Sequence, residues 1–417
     1  MCAIRVRGLY GREVRGCVEI QGCKNAALPI LAATLLNGKS NIIHNCPNLS
    51  DVAASVDILN SLGCRAEFGE NTAFVDSSGL CSCRIDTELM GAMRSSVLFV
   101  GALLSRLGRA EFTMPGGCDI GLRPIDIHLA SFERMGVDVE CSEGNVICRA
   151  DNLRGGDIHL PLPSVGATEN IILLAAKGKG ITRIYNAARE PEICDLADYI
   201  NSMGGRIHGA GSSLITIYPV DRLGVGEHRV MPDRIETLTF AGICAACGGE
   251  IVMNRTTADD IAVPMNTLCR MGLVASSCAN RLIVTARRPM VCLPRVSTAP
   301  YPGFPTDAQS LLMTVMSTAL GEGIIEENIF EKRLGHASEL AKMGADISID
   351  GSCAYVRGGR LHGAEVIAGD LRSGAALVAA GLAAEGDTLI HGSEYIDRGY
   401  DGFVRKLGEI GAAAERI

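Results

Sequence analysis

The sequence predicts an α/β fold of two domains, each made of three βαβαβ-type repeats with helices buried at the centre. Three observations lead there. One hydrophobic-Gly step recurs six times along the 417 residues. The first helical pattern of each copy is apolar on nearly every face, and the second is apolar on one face only.

The recurring steps are Leu62-Gly63, Met135-Gly136, Met203-Gly204, Met271-Gly272, Met343-Gly344 and Ile410-Gly411. Successive glycines stand 73, 68, 68, 72 and 67 positions apart. Each closes a helical pattern, where glycine suits the C′ position because φ > 0 carries no penalty without a Cβ. Between steps the order reads strand, helix, strand, helix, strand. The second copy illustrates it: helix over 95–104, strand over 110–114, helix over 125–135 and strand over 137–141. Over 171–176, 311–320 and 375–384 apolar residues occupy nearly every face, and such helices belong in an interior. The second helices keep a single stripe, as in Val52, Val56, Leu59 and Leu62, and should lie nearer the surface. An open solenoid would share the repeat, but it does not need wholly apolar helices.

Composition narrows the function. Forty-nine glycines and a charged fraction of 21% fit an α/β protein with many tight turns. Aromatic residues make up 4% and Trp is absent, which removes the stacking platforms that single-stranded nucleic acid uses. A net charge of −8 argues against a general polyanion-binding surface. Any anionic ligand must therefore be held by a local basic cluster. The N-terminal residues lack the apolar core of a signal peptide, and apolar runs such as 97–104 fall short of a membrane span. A cytoplasmic protein without a membrane partner is expected. The 17 cysteines are scattered, as in a reducing compartment. The one C-x-x-C, Cys244 to Cys247, lies in an apolar run and reads as small buried helix residues.

The repeat aligns residues that otherwise look unrelated. Just before each buried helix stand Lys24-Asn25, Arg94-Ser95, Ser164-Val165-Gly166, Asp233-Arg234, Thr306-Asp307 and Asp370-Leu371-Arg372. Lys24, Arg94, Ser164, Arg234, Asp307 and Arg372 lie 39, 42, 40, 38, 37 and 39 positions before the next marker glycine. Helix capping accounts for the aspartates and Ser164. It does not account for Lys24, Arg94 and Arg372, since a cation opposes the N-terminal dipole unless an anion lies between. A second set precedes the amphipathic helices: Cys118 with Arg123, Arg189 to Glu192, Glu331 to Arg333, and Asp397 to Tyr400. In the first of these, Pro115-Gly116-Gly117-Cys118-Asp119-Ile120-Gly121 puts a thiol on a glycine-rich loop. Glycines let main-chain N–H groups approach an anion, and the guanidinium of Arg123 favours the thiolate.

Taken together these segments resemble the UDP-N-acetylglucosamine 1-carboxyvinyltransferases, a family of enolpyruvyl transferases. The resemblance runs from KNAALP at 24–29 through PGGCDIGLRP at 115–124, PSVGATEN at 163–170, AAREPEI at 187–193, PDRIET at 232–237, FPTD at 304–307 and DLR at 370–372, to DRGY at 397–400. It implies a two-domain inside-out α/β barrel, with 22–230 as one domain and 1–21 plus 231–417 as the other, and an active site in the cleft between them. It also implies transfer of enolpyruvyl from phosphoenolpyruvate to the 3′-hydroxyl of UDP-N-acetylglucosamine, with release of phosphate. No cofactor and no metal are implied, and the reaction would open peptidoglycan precursor synthesis.

By the same resemblance Cys118, Asp307 and Lys24 are the catalytic residues, Cys118 as proton donor and Asp307 as base at the sugar hydroxyl. Lys24, Arg123 and Arg398 hold the phosphate, and Arg94, Arg333 and Arg372 complete a cationic pocket. Asn25, Asp307 and the Ile329 main chain match sugar contacts. Arg123, Pro124, Ile125, Asp126, Ile127 and His128, with Ser164, Val165 and Gly166, match contacts to uridine and diphosphate. Leu162, Ser50 and Leu98 depart from the family, the first two lacking a basic side chain that some members carry. A cysteine at 118 implies alkylation by fosfomycin. The alternatives are 5-enolpyruvylshikimate-3-phosphate synthase, an RNA 3′-phosphate cyclase-like nucleotidyl transferase, and a non-catalytic paralogue that binds the UDP-sugar.

Overall fold

The computed structural model describes residues 3–9, 11–116, 125–256 and 258–417. The fold is mixed α/β, and the described residues fall into two compact units, one from 22–116 with 125–231 and one from 3–21 with 232–417.

In the first unit the helices are α1 (Lys24–Ala33), α2 (Ser50–Ser61), α3 (Thr87–Ala92), α4 (Leu98–Leu107), α5 (Asp126–Arg134), α6 (Val165–Ala175) and α7 (Pro191–Ser202). Helices α1, α4 and α6 carry the core, with Ile30, Leu31, Val100, Leu103, Ile171 and Leu174 all at 2% exposure or less. Sheets surround them. One has the strand order Gly226–Arg229, Ser40–His44, Thr72–Asp76, Arg65–Gly69; a second has Ile207–His208, Leu214–Ile217, Thr182–Tyr185, Asp157–His159. Among the described residues the third has three strands, Arg109–Thr113, Asn145–Arg149 and Asp138–Ser142. Where a fourth strand would lead into the repeat, α3 intervenes and one bridge between Arg84 and Glu111 remains.

In the second unit the helices are α8 (Arg234–Cys247), α9 (Ala262–Met271), α10 (Gln309–Ser317), α11 (Ala337–Lys342), α12 (Leu371–Ala383), α13 (Ser393–Asp397) and α14 (Phe403–Glu409). Every residue of α8 is buried. Burial pushes the thiols of Cys244 and Cys247 up to about 12, so the C-x-x-C is inert packing. The start of the chain supplies two strands to this unit. Val14–Glu19 pairs in parallel with Gly249–Asn254, and Ala3–Arg7 pairs antiparallel with Asp387–His391 and with Ala414–Arg416.

The six marker glycines, Gly63, Gly136, Gly204, Gly272, Gly344 and Gly411, all have positive φ, from +76° to +121°. They end α2, α5, α7, α9, α11 and α14 as the C′ argument requires, with Gly272 one position earlier, at the cap itself. One expectation is corrected. After the second helix the sequence predicts a single strand, whereas five copies have an antiparallel hairpin, such as Arg65–Gly69 with Thr72–Asp76. The turn Glu70-Asn71 takes φ of +51° and +55°, the type I′ geometry that matches strand twist. It lacks the Asn-Gly or Asp-Gly pair that announces such a turn.

A buried ion pair lies in the second unit. Lys406 Nζ is 2.6 Å from Glu236 Oε1, and both side chains are almost wholly buried. Burial, partly offset by Lys406, raises the Glu236 carboxyl to about 7. Lys406→Met is expected to cost about 3–5 kcal/mol, because one buried charge is left uncompensated. Glu236 then folds protonated but ionises in the unfolded chain above about 4.5, so the variant's stability falls as pH rises beyond that value. Urea unfolding at pH 5 and pH 8 checks both the size and the sign, and adding Glu236→Gln should remove the pH dependence.

Candidate functional site

Helix α1 starts on Lys24, and its N-cap, Cys23, makes no side-chain cap. A cation there opposes the helix dipole. The protein supplies the compensating anion: Asp51 Oδ2, in the first turn of α2, is 2.7 Å from Lys24 Nζ, both side chains being about nine-tenths buried. Cys23 Sγ donates to Glu192 Oε1 at 3.7 Å. Burial, then the charges of Glu192 and Glu190, push the nearby Glu169 carboxyl well above the usual carboxylate range. Asn25 is half-buried on α1. Its carbonyl loses its helical partner because Pro29, four residues on, has no N–H.

Also in the first unit, Ser164 caps α6 by accepting from the Ala167 N–H at 3.4 Å. Val165 and Gly166 form the first turn of that helix. Arg94 opens a 3-10 turn, Arg94–Val97, that runs into α4. Ile125, Asp126, Ile127 and His128 lie at the start of α5, with His128 buried and held neutral. Burial first, then Arg94, lowers its pKa to about 4. His128 Nδ1 lies 2.9 Å from Asn170 Nδ2 on α6.

The second unit gathers a denser cluster. Asp307 sits in the 3-10 turn Thr306–Ala308, directly before α10. Arg333 Nη2 is 2.8 Å from its Oδ1, and Arg372 Nε is 3.5 Å from the same oxygen. Arg333 Nη1 also lies 3.6 Å from Asp370 Oδ1. Both guanidiniums are at least nine-tenths buried, while Asp307 keeps 29% of its side chain exposed. Burial disfavours the Arg372 charge, but Asp307 and then Tyr400 and Asp233 outweigh it and raise its pKa. Arg372 also stacks over the Tyr400 ring, 5.9 Å from its centre. Asp370 caps α12 through a capping box with Ser373. Its burial raises the carboxyl pKa, yet Arg333 and the N–H groups of Ser373 and Arg372 hold it below the usual range.

Two further groups brace this cluster. Glu327 is buried and accepts from Thr306 Oγ1 at 2.9 Å and from the Ile329 N–H at 2.8 Å. Of the Ile329 main-chain groups the N–H is therefore already engaged. Gln21 brackets the turn after Arg398: its Nε2 donates to Gly399 O at 2.8 Å and its Oε1 accepts from the Asp401 N–H at 2.7 Å. On the other side of Arg398, Asp397 pairs with Arg416 through both carboxylate oxygens.

Asp307, Arg333 and Arg372 are thus brought into one cluster, and His128 is brought against Gly166. Cys118, Arg123 and Pro124 lie outside the described residues. Asp233, Asp370 and Ser164 act as helix caps. The inference that Lys24 and Arg372 need an external anion is weakened, because Asp51 and Asp307 already face them. Leu162 is 52% exposed and Ser50 is exposed, while Leu98 is core. Asp51, Glu327 and Gln21 escaped sequence reasoning, and Asn170 entered it only as the end of a motif. Each meets its partner through the fold rather than through chain proximity. Only Asp370 carried a signal, its place before a buried helix.

The described residues of the second unit thus gather one partly exposed carboxylate, Asp307, against two buried guanidiniums. A family model described as EPSP synthase (3-phosphoshikimate 1-carboxyvinyltransferase) matches residues 10–407. The chain is 43% identical over 408 residues to UDP-N-acetylglucosamine 1-carboxyvinyltransferase 2 of Caldanaerobacter subterraneus, covering 98% of each chain. It is 43% identical over 417 residues to the UDP-N-acetylglucosamine 1-carboxyvinyltransferase of Halorhodospira halophila, covering 99% of this chain and 98% of that one. Among solved structures, the enolpyruvyl transferase NikO from Streptomyces tendae matches with a TM-score of 0.90 at 24% identity, over 100% of this chain and 98% of that chain. EPSP synthase from Acinetobacter baumannii matches with a TM-score of 0.75 at 16% identity over the full length of both. The fold is that of the enolpyruvyl transferases. Within them, the chain belongs to the UDP-N-acetylglucosamine 1-carboxyvinyltransferase family.

Proposed function

We propose that this protein transfers the enolpyruvyl group of phosphoenolpyruvate to the 3′-hydroxyl of UDP-N-acetylglucosamine and releases phosphate. The observation that carries the reading is the Asp307 carboxylate beside two buried guanidiniums, at 2.8 and 3.5 Å. A base next to fixed cations suits a reaction in which a hydroxyl attacks an anionic substrate. In the addition step the sugar O3′ bonds to C2 of phosphoenolpyruvate, Asp307 takes the hydroxyl proton and Cys118 delivers a proton to C3. In the elimination step the C2–O bond to phosphate breaks, the phosphate leaves with the proton that Asp307 took, and C3 gives a proton back to the Cys118 thiolate, which restores the double bond. Lys24, Arg94, Arg123, Arg333, Arg372 and Arg398 hold the carboxylate and phosphate groups. Asn25 and the Ile329 carbonyl meet the sugar, and Ile125 to His128 with Ser164 to Gly166 meet the nucleotide. Neither a cofactor nor a metal enters this scheme. The product would feed peptidoglycan precursor synthesis.

We further infer that each unit is an inside-out barrel of three repeats. Three buried helices and three sheets in each unit support this, together with the six positive-φ glycines.

A phosphate-release assay with each acceptor tests the activity. Release with shikimate-3-phosphate and none with UDP-N-acetylglucosamine overturns it. Arg398→Ala is expected to weaken phosphoenolpyruvate binding by about 1.5–3 kcal/mol, the range for hydrogen bonds to charged groups. The KM for phosphoenolpyruvate reads this loss, and an unchanged value removes Arg398 from the site.

A further inference from the structure

Helix α6 begins beside a ring nitrogen of a buried histidine that the described hydrogen bonds do not use. His128 is 6% exposed, and its Nε2 has no hydrogen-bond partner among the described residues. A Cβ placed on Gly166 would lie 3.1 Å from His128 Cε1 and 3.4 Å from Nε2, so this edge of the ring faces the first turn of α6. The other ring nitrogen, Nδ1, is 2.9 Å from the carboxamide of Asn170.

The orientation of that carboxamide follows from its neighbours. The Gly101 N–H on α4 points at one end of it from 2.9 Å. An N–H can only donate, so that end is the oxygen. The opposite end is then the NH₂ group, and it donates to Val97 O at 2.9 Å and to His128 Nδ1. A ring nitrogen that accepts carries no proton, so a neutral imidazole at this place bears its hydrogen on Nε2. Burial and Arg94 keep the ring neutral. Gly101 is part of the same arrangement, because a Cβ there would lie 2.5 Å from Asn170 Oδ1.

We propose that Asn170 is a positioning residue: it holds His128 in the Nε2–H tautomer, so that this N–H donates to an oxygen of the nucleotide half of a sugar nucleotide bound at the start of α6. The ligand class rests on the transferase reading above. The first-turn N–H groups of α6 favour an anion through the helix dipole. His128 adds a directed donor that carries no charge. The opposite tautomer would aim a lone pair at the same oxygen and repel it.

Imidazole ¹H–¹⁵N spectra of the full-length ¹⁵N-labelled protein at pH 7 test the tautomer without any ligand. A His128 signal with Nε2 protonated and Nδ1 bare is expected; protonation at Nδ1, or at both nitrogens, overturns the proposal. In Asn170→Asp the carboxylate accepts from the ring, so the proton should move to Nδ1. The Kd for UDP by calorimetry should then rise roughly ten- to a hundredfold, the size of one hydrogen bond to a charged group. A folded Asn170→Asp with wild-type UDP affinity overturns it. Should that variant fail to fold, His128→Leu must show the same loss, and wild-type affinity there overturns it as well. Uridine separates the two sources of the oxygen. A loss confined to UDP places the acceptor on the diphosphate, and an equal loss with uridine places it on the nucleoside. The expected tautomer and UDP binding without any phosphate release would reject the transferase reading alone.

Discussion

Cys118→Ala is expected to lower turnover of phosphoenolpyruvate with UDP-N-acetylglucosamine by about 10²–10⁴-fold, the usual contribution of a general acid. It should also abolish the covalent adduct that intact mass detects with phosphoenolpyruvate or fosfomycin. The physical case lies in the sequence: a thiol among three glycines, five residues before Arg123. A guanidinium brought close to a thiol stabilises the thiolate, the form that opens the epoxide of fosfomycin and makes the C–S bond. The two roles of the sulfur come apart in Cys118→Asp. A carboxyl group can still deliver a proton to C3, so turnover should recover in part, while the adduct stays absent. Near-normal turnover in Cys118→Ala rejects the thiol as the acid.

Asp307→Asn is the second large effect. Loss of the base should cost about 10²–10⁴-fold in kcat. The KM for phosphoenolpyruvate should stay level or fall, for an electrostatic reason. Arg333 and Arg372 lie 2.8 and 3.5 Å from the carboxylate and are 4% and 6% exposed. Removing one negative charge leaves their positive charge less compensated and more attractive to an anion. The asparagine oxygen can still accept from Arg333, so the unit loses only on the order of 1.5–3 kcal/mol. Steady-state kinetics with thermal unfolding checks both parts. A raised KM with unchanged kcat would falsify the assignment of Asp307 as base.

Both predictions draw on what the chain discloses before it folds, but unevenly. Cys118 and Asp307 were legible as types: a thiol on a glycine loop, a carboxylate at a strand-to-helix junction. The family resemblance supplied their roles. The resemblance put Arg333 and Arg372 in the same site, but their direct pairing with Asp307 was not legible, because they are 26 and 65 positions away in the chain. Lys24 shows the same limit from the other side. Its place at a helix start signalled an anion nearby, yet the residue that answers is Asp51, on a different helix. Asn170 closes the PSVGATEN segment, yet its role left no signal, since a buried asparagine in an apolar helix gains meaning only when Gly101, Val97 and His128 surround it.

By itself the sequence determined the repeat and its pitch, the burial of the first helix in each copy, the glycine that ends the second, and the family. These depend on hydrophobic periodicity and on the φ angles a residue can adopt, which act over one or two helical turns. The tertiary structure alone decided which strands pair. It placed Ala3–Arg7 beside Asp387–His391, made hairpins where single strands were expected, and brought Lys24, Arg333, Arg372 and Lys406 to their acids. Apart from the hairpins, pairing of that kind joins residues far apart in the chain, and its register and partners are chosen only when whole elements pack.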